Sequence, residues 1–286
     1  MKVVHTFHDF RRWAADASVG LGGAGRLGLT PTMGALHPGH LAHIPALRAA
    51  GADAVAVSIF VNPTQFGPDE DLSRYPRPLD ADLAACAAAG VDAVFHPDPH
   101  EVYPPDEPPL HVDVPDLTGT LEGADRPGHF VGVCRVVLKL LGGLLPDLAS
   151  FGAKDFQQLA VVRAMVRGAA LPVGLVPVPV VREPDGLARS SRNAYLTPDQ
   201  RKSALALHAA LQAARSAFTG GERRPAALEA AMAERLAAAD ALEPVYTVVR
   251  DPVTLREPDR VAPDTRALIA ARVGPTRLID NAPLSG

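Results

Sequence analysis

The sequence predicts an α/β fold, in which a parallel sheet carries helices on both faces and a smaller α+β domain follows. Strand-like and helix-like segments alternate up to about residue 181, an order typical of parallel sheets connected by helices. The strand segments are short apolar runs rich in β-branched residues, which indicates strands that are covered on both faces. Beyond residue 181, helices come first and strands follow, which favours an α+β domain.

The alternating part is divided by its hydrophobic periodicity. Continuous apolar runs predict strands at residues 26–32, 53–61, 91–97, 147–152 and 173–181. Apolar residues at helical spacing predict helices at residues 39–51, 78–90, 129–145 and 155–170. Gly51 and Gly90 stand where the first two helices should stop, and Pro45 predicts a kink or a break in the first. This order is that of a Rossmann-like, doubly wound sheet, whose ligands bind beyond the carboxyl ends of the strands.

The segment "VREPDGLARSSRN", residues 181–193, marks the predicted domain boundary because its Pro, Asp and Gly residues favour a turn or hinge. The segments after it predict helices at 198–218 and 225–240 and strands at 244–251, 265–274 and 276–281. We therefore expect a Rossmann-like domain at residues 1–181 and a C-terminal α+β domain at residues 182–286.

Composition excludes several classes of protein. The 286 residues are 47% hydrophobic with a net charge of −4, which is typical of a globular protein and argues against one that coats nucleic acid. The N-terminus lacks the apolar core of a signal peptide, and no apolar run is long enough to span a membrane. We therefore expect a cytoplasmic protein. Cys86 and Cys134 stand far apart among apolar residues and predict two buried free thiols.

The stretch "TMGALHPGHLAHI", residues 32–44, places His37 and His40 around Pro38 and Gly39 after the first predicted strand. Proline is favoured at the first position of a helix, and glycine lets a ligand approach the backbone closely. Two imidazoles there could donate hydrogen bonds to charge that builds on a polyphosphate. The alternative, two histidines of the core or surface, stays open on spacing alone. A zinc pair is disfavoured because no third ligand follows at a recognisable spacing.

Polar residues also follow two other predicted strands. Asn62 and Gln65 in "NPTQFG" suit a ligand that needs uncharged donors and acceptors, although turn chemistry alone also explains Asn62. Lys154 in "GAKD" could neutralise phosphate, and Asp155 could accept ribose hydroxyls or cap the next helix. Gln158 falls one helical turn further on, on the same face.

Two further segments keep alternative interpretations. Asp82 lies near a helix start and is either a charge that favours the helix or a ligand for Mg²⁺. Ser190, Ser191 and Arg192 belong either to a loop that grips phosphates or to an N-cap motif, since Thr197 and Pro198 open the next predicted helix. The sequence has neither the P-loop pattern nor a GxSxG elbow. The glycine run at residues 20–25 precedes a strand, so we discount it as a dinucleotide fingerprint.

Six segments together carry a resemblance that runs along nearly the whole chain. They are, in order, "PTMGALHPGH", "VSIFVNPTQFGPDEDLSRYPR", "RPGHFVGV", "FGAKDFQQL", "VREPDGLARSSRNAYL" and "RVGPTRLIDN". In this order they resemble the pantothenate synthetase (pantoate–β-alanine ligase) family of the HIGH-signature nucleotidyltransferase superfamily. The HxGH pattern by itself is shared with cytidylyltransferases and class I aminoacyl-tRNA synthetases.

The resemblance implies that pantoate and Mg·ATP form pantoyl adenylate, which β-alanine attacks to give pantothenate and AMP. It implies catalytic roles for His37, His40, Lys154 and Arg192. It implies ATP contacts from Met33, His40, Gly152, Lys154, Asp155, Val181, Ser190, Ser191 and Arg192. It implies that Asn62, Gln65, Gln158, Tyr75 and Arg126 bind the other substrates, with Met33 also near pantoate, and that Asp82 lies near Mg²⁺. A homodimer with a C-terminal domain that closes over the site is also implied.

The chain departs from the common family pattern at Ala81, Arg135, Ala153 and Arg189. Two other functions remain open. A cytidylyl- or adenylyltransferase would leave the nucleotide on its product, and a silent homologue would bind ATP without releasing pyrophosphate. A tRNA synthetase is disfavoured because the chain shows no basic surface and no anticodon-binding extension.

Overall fold

The computed structural model describes residues 1–20, 25–68, 70 and 72–285. Most of the discounted glycine run therefore lies outside the described residues. The chain forms two compact units, Met1–Ala153 with Val161–Pro179 and Lys154–Ala160 with Val180–Gly286. The division falls close to the expected boundary at residue 181, but the segment Lys154–Ala160 groups with the second unit. Asn281 donates a hydrogen bond to the Lys154 carbonyl at 2.8 Å, and Arg266 stacks over the Phe156 ring at 4.2 Å.

The first unit contains a six-stranded, all-parallel sheet in the order β1-β4-β3-β2-β5-β6. Its strands are β1 (Lys2–Val4), β2 (Leu27–Thr32), β3 (Ala54–Ile59), β4 (Ala93–Phe95), β5 (Leu148–Gly152) and β6 (Gly174–Val178). The predicted α/β class is confirmed. The edge strand β1 was missed because three residues are too few to show a period.

Helices connect the strands of this sheet, and the last of them, α9, spans the division between the two units. They are α1 (Phe7–Gly20), α2 (Pro38–Leu41), α3 (His43–Ala49), α4 (Leu79–Ala88), α5 (Pro99–Val102), α6 (Pro115–Thr118), α7 (Glu122–Asp125), α8 (His129–Leu144) and α9 (Phe156–Gly168). The helix predicted at 39–51 is in fact two helices that meet at Ala42, upstream of Pro45. Proline is tolerated in a first turn, so α3 begins before Pro45 and passes through it.

The two ends of the parallel sheet carry different chemistry. At the start of β2, the Leu27 amide donates to the Asp147 carboxylate at 2.7 Å, and at the start of β3 the Val55 amide donates to Asp92 at 2.7 Å. These carboxylates satisfy backbone groups that the ladder leaves unpaired. The strand centres are buried and apolar, with Leu29 and Val55 fully buried. The polar segments singled out by sequence follow the opposite, carboxyl ends.

The second unit is an α+β structure, as predicted. It contains α10 (Pro198–Thr219), α11 (Pro225–Ala237) and an antiparallel sheet of β7 (Leu242–Arg250), β8 (Arg266–Val273) and β9 (Thr276–Pro283). Helix α10 begins with a capping box between Thr197 and Gln200. Its core includes the fully buried side chains of Leu211, Met232 and Ile269.

Candidate active site

The His-Pro-Gly-His turn begins helix α2, with His37 as the N-cap and Pro38 at the first helical position. The Gly39 amide donates to His37 Nδ1 at 3.1 Å, and the His37 amide donates to His40 Nδ1 at 3.3 Å. The two rings stack with 4.0 Å between their centroids. Two imidazoles thus form a capping box, a role that serine and glutamate usually fill.

This capping arrangement determines which ring nitrogen can donate. A nitrogen that accepts an amide hydrogen bond carries no proton, so each neutral ring of His37 and His40 holds its proton on Nε2. Both histidines therefore offer an Nε2–H donor without needing to become charged. Helix α2 has only four residues, so its dipole is small and the imidazoles supply the donors that suit an anionic ligand.

Asn62 is buried, with 1% of its surface exposed, and its amide is fully engaged. Its Nδ2 donates to Gln65 Oε1 at 3.0 Å and to the Gly132 carbonyl at 3.1 Å. Its Oδ1 accepts from the Thr64 amide at 3.2 Å and from the Tyr103 hydroxyl at 2.8 Å. Asn62 therefore stabilises the turn, as the alternative interpretation expected, and it also orients the Gln65 side chain.

The orientation of the Gln65 amide follows from its contact with Asn62. Because Gln65 Oε1 accepts from Asn62, its Nε2 is the group left to donate, and it lies 3.2 Å from Met33 Sδ. The structure therefore brings Gln65 together with Met33, which lies four residues before His37 in the loop after β2. A donor beside a thioether suits a ligand that has both an acceptor oxygen and an apolar part.

Gly132 on α8 lies against the 3₁₀ turn Pro63–Gln65 at a distance that only glycine allows. A Cβ added there would lie 2.1 Å from the Thr64 carbonyl oxygen and 2.6 Å from the Gln65 amide nitrogen. Both of these are backbone atoms, so the turn itself would have to move. Sequence reasoning did not assign Gly132 or Tyr103 to the site, although Gly132 belongs to the quoted segment "RPGHFVGV".

Replacing Gly132 by alanine should displace the turn Pro63–Gln65, and we expect a loss of about 1–3 kcal/mol in unfolding free energy. Gly142 is the matched control, because it lies on the same helix, is exposed, and has nothing within 4 Å of an added Cβ. Gly142→Ala should be neutral or slightly stabilising. Urea unfolding of both variants tests this, and equal stabilities would contradict it.

Arg126 is part of a charged cluster that the sequence showed only in part. Its guanidinium pairs with both oxygens of Glu70 at 2.7 and 2.6 Å, and it lies 3.0 Å from His129 Nε2. His129 Nδ1 lies 2.8 Å from the Gln65 carbonyl oxygen. The Arg126 hydrogen bond lowers the pKa of Glu70, although burial opposes it. Tyr75 packs edge-on against Phe66 with 5.9 Å between the ring centroids.

Asp82 does not have the surroundings of an exposed metal ligand. Its side chain is 2% exposed, and its two oxygens accept hydrogen bonds from the Ala35 and Leu36 amides at 2.9 and 2.7 Å. Among the described residues, no group of three or more His, Cys, Asp or Glu side chains could hold a metal ion. Mg²⁺ usually needs only one or two protein carboxylates, so the expectation that Asp82 lies near Mg²⁺ stays a prediction.

Gly152 ends strand β5 beside a buried polar network that sequence reasoning missed. His43 Nδ1 lies 3.0 Å from Ser150 Oγ, which lies 2.8 Å from Thr30 Oγ1. All three side chains are buried, and a Cβ on Gly152 would lie 3.5 Å from His43 Nε2. This network connects α3, which follows the histidine turn, to strands β2 and β5.

The remaining candidates belong to the second unit. Lys154 Nζ lies 3.4 Å from the Asp155 carboxylate, and Gln158 follows one turn later in α9. The Ser190 hydroxyl accepts from the Arg192 amide at 3.3 Å and caps a 3₁₀ turn, Ser191–Tyr195. The N-cap of the following helix α10 is Thr197, with Pro198 at its first position, and Arg192 is exposed. The same unit contains the half-buried Val181.

The four departures from the family pattern have local structural settings. Arg189 pairs with Glu183 at 3.0 Å, and Arg135 donates to the Leu110 carbonyl at 2.6 Å. Ala153 is 6% exposed, so a polar side chain there would need a buried partner. Ala81 is exposed on α4, whereas the neighbouring Asp82 is buried.

Both predicted thiols are free and buried. Burial raises the pKa of Cys86 to about 11, with a contribution from the charge of Asp82, and raises the pKa of Cys134 to about 12. Since only thiolates react, a disulfide reagent at pH 8 should modify neither cysteine rapidly in the folded protein, and both rapidly in urea. Rapid modification of the native chain would contradict this prediction.

The fold and these residues define a class of protein, namely a Rossmann-like α/β protein with polar residues beyond the carboxyl ends of its parallel strands. The family model described as Pantoate-beta-alanine ligase matches residues 2–283. The chain therefore belongs to the pantoate–β-alanine ligase family. No helix of the described residues has the length and apolar character needed to cross a membrane.

Curated relatives and solved structures agree with this family. The chain is 50% identical over 287 residues to pantothenate synthetase of Chloroflexus aurantiacus, covering 100% of this chain and 99% of that one. It is similar to the crystal structure of pantothenate synthetase from Thermus thermophilus, with a TM-score of 0.90, 42% identity and full coverage of both chains. The pantoate–β-alanine ligase of Francisella tularensis, solved with β-γ ATP and β-alanine, matches with a TM-score of 0.77 and 29% identity over 99% of this chain and 98% of that one.

Proposed function

We propose that this chain is an ATP-dependent ligase that condenses pantoate with β-alanine and releases AMP and pyrophosphate. The observation that carries the proposal is the arrangement in the first unit. There, the Gln65 amide accepts from Asn62 and so presents its donor beside Met33, and the loop that contains Met33 continues to His37 and His40. Family membership over residues 2–283 supports the same reaction.

In the first step, a carboxylate oxygen of pantoate bonds to the α-phosphorus of ATP, and the bond to pyrophosphate breaks with its electron pair leaving on pyrophosphate. The product is pantoyl adenylate. His37 and His40 donate from Nε2 to the oxygens on which negative charge builds. Lys154 and Arg192 neutralise phosphate charge, and Ser190, Ser191 and Asp155 contact the nucleotide. No protein nucleophile is required, because alignment and charge neutralisation suffice.

In the second step, the amine of β-alanine bonds to the acyl carbon, the bond to AMP breaks, and the nitrogen loses a proton. Gln65 and Gln158 hold the pantoyl group through amide hydrogen bonds, and Met33 packs against its apolar part. Tyr75 and Arg126 face the second substrate in this proposal. The bidentate pair with Glu70 keeps the Arg126 side chain in one direction.

Magnesium enters this scheme as part of the Mg·ATP substrate, held by phosphate oxygens. Mg²⁺ usually keeps several waters and needs few protein ligands, so a protein cage is not required.

We also propose a cytoplasmic location, where thiols such as Cys86 and Cys134 stay reduced. A homodimer is proposed as well, and the molar mass from light scattering tests it.

Pantoate labelled with ¹⁸O in its carboxylate tests the function directly. The proposed route transfers one labelled oxygen to AMP, and pyrophosphate release requires pantoate. Sustained turnover, with pantothenate formed, requires β-alanine as well. A nucleotidyltransferase would keep the nucleotide on its product, and a silent homologue would bind ATP without releasing pyrophosphate. Unlabelled AMP would contradict the adenylate route.

A further inference from the structure

The carboxylate of Asp82 is built into the loop that precedes the two histidines. Asp82 lies in the first turn of α4, and its oxygens accept from two consecutive amides, those of Ala35 and Leu36. The side chain is 2% exposed, so these amides take the place of water around the charge. A buried carboxylate in such a position is stable only while its hydrogen bonds are kept.

The backbone of this loop has a conformation that needs external support. Gly34 has φ +81°, and Ala35, which has a Cβ, has φ +51°. An alanine in the left-handed region is strained, and the hydrogen bonds to Asp82 offset that strain. A Cβ on Gly34 would lie 2.8 Å from Asp82 Oδ2, so the carboxylate and the loop backbone are in direct contact.

We propose that Asp82 is a positioning residue for the adenylation step, which fixes the loop 34–36 and through it the two histidines. Leu36 directly precedes His37, whose amide and ring form the capping box with His40. A shift at Leu36 therefore moves both imidazoles. The effect on rate rests on the proposed function, whereas the effect on the loop does not.

The test compares Asp82→Asn with Asp80→Asn in the full-length protein. Asp80 lies in the same helical turn and is exposed, so it controls for the loss of one charge. Asp82→Asn keeps the shape of the side chain, but its one carbonyl oxygen can accept from only one of the two amides. We expect faster hydrogen exchange at the Ala35 and Leu36 amides and a kcat for pyrophosphate release at least about 10-fold lower. The Mg²⁺ concentration for half-maximal rate should not change, and Asp80→Asn should match the wild type.

A second variant keeps the test valid if Asp82→Asn folds poorly. Ala35→Gly removes the cost of the left-handed conformation, so the double variant should recover part of the stability and rate that Asp82→Asn loses. A raised Mg²⁺ requirement with unchanged amide exchange would make Asp82 a metal ligand and overturn the proposal. Faster exchange with an unchanged kcat would also overturn it. Failure of the wild type to release pyrophosphate would instead refute the proposed function, while the exchange data would still report on the loop.

Discussion

Replacing His40 by alanine is expected to lower the rate of pyrophosphate release by about 10²-fold or more. His40 loses two roles in this variant. Its Nδ1 accepts from the His37 amide, and in the proposed mechanism its Nε2–H donates to the developing charge on phosphate. Rapid-quench measurement of the first half-reaction, with ATP and pantoate but without β-alanine, isolates the affected step. An unimpaired first half-reaction would show that His40 does not stabilise the transition state.

Two further substitutions separate the cap from the donor. Asparagine at residue 40 places an oxygen near the Nδ1 position and can keep the cap, but it has no group at the Nε2 position. Glutamine reaches the Nε2 position with an amide donor. If the donor at the Nε2 position matters most for catalysis, the His40→Gln variant should retain more activity than the His40→Asn variant. The His40→Asn variant should retain the thermal stability of the wild type. The reverse order of rates would indicate that the cap is what matters.

Replacing Gln65 by alanine is expected to raise the KM for pantoate by about 10- to 100-fold, which corresponds to losing a hydrogen bond to a charged group. The KM for ATP should change little, because Asn62 directs the Gln65 donor toward Met33 in the proposed pantoate site. Steady-state pyrophosphate release with each substrate varied in turn gives both constants. Equal effects on pantoate and ATP would undo this assignment.

Gln65→Glu is the matched control for that prediction. It has nearly the same shape but replaces the donor by a carboxylate, which repels an acid substrate and can accept the hydrogen bond that Asn62 donates. We expect its KM for pantoate to rise further than in the alanine variant. A Gln65→Glu variant that binds pantoate normally would show that this side chain does not contact the acid.

The fold was predictable because its elements are coded locally. Apolar runs such as 53–61 and helical spacing such as 129–145 need only neighbouring residues to be recognised, and the structure confirms both. The predictions from sequence were wrong where neighbouring residues give a weak or ambiguous indication of the structure. Pro45 indicated a break that occurs at Ala42, and the segment Lys154–Ala160 groups with the second unit through distant residues such as Asn281.

The sequence by itself determined the α/β and α+β organisation, the family resemblance and the helix start at Pro38, because these depend on residue type and spacing. The tertiary structure decided what the site residues contact. It pairs Asp82 with the Ala35 and Leu36 amides. It also orients the Gln65 amide, because Asn62 donates to Gln65 Oε1 and leaves Nε2 as the donor. The contact of Asp82 with its loop joins segments more than 40 residues apart in the chain. Spacing along the chain carries no information about such a contact, because it forms only when the strands and helices pack.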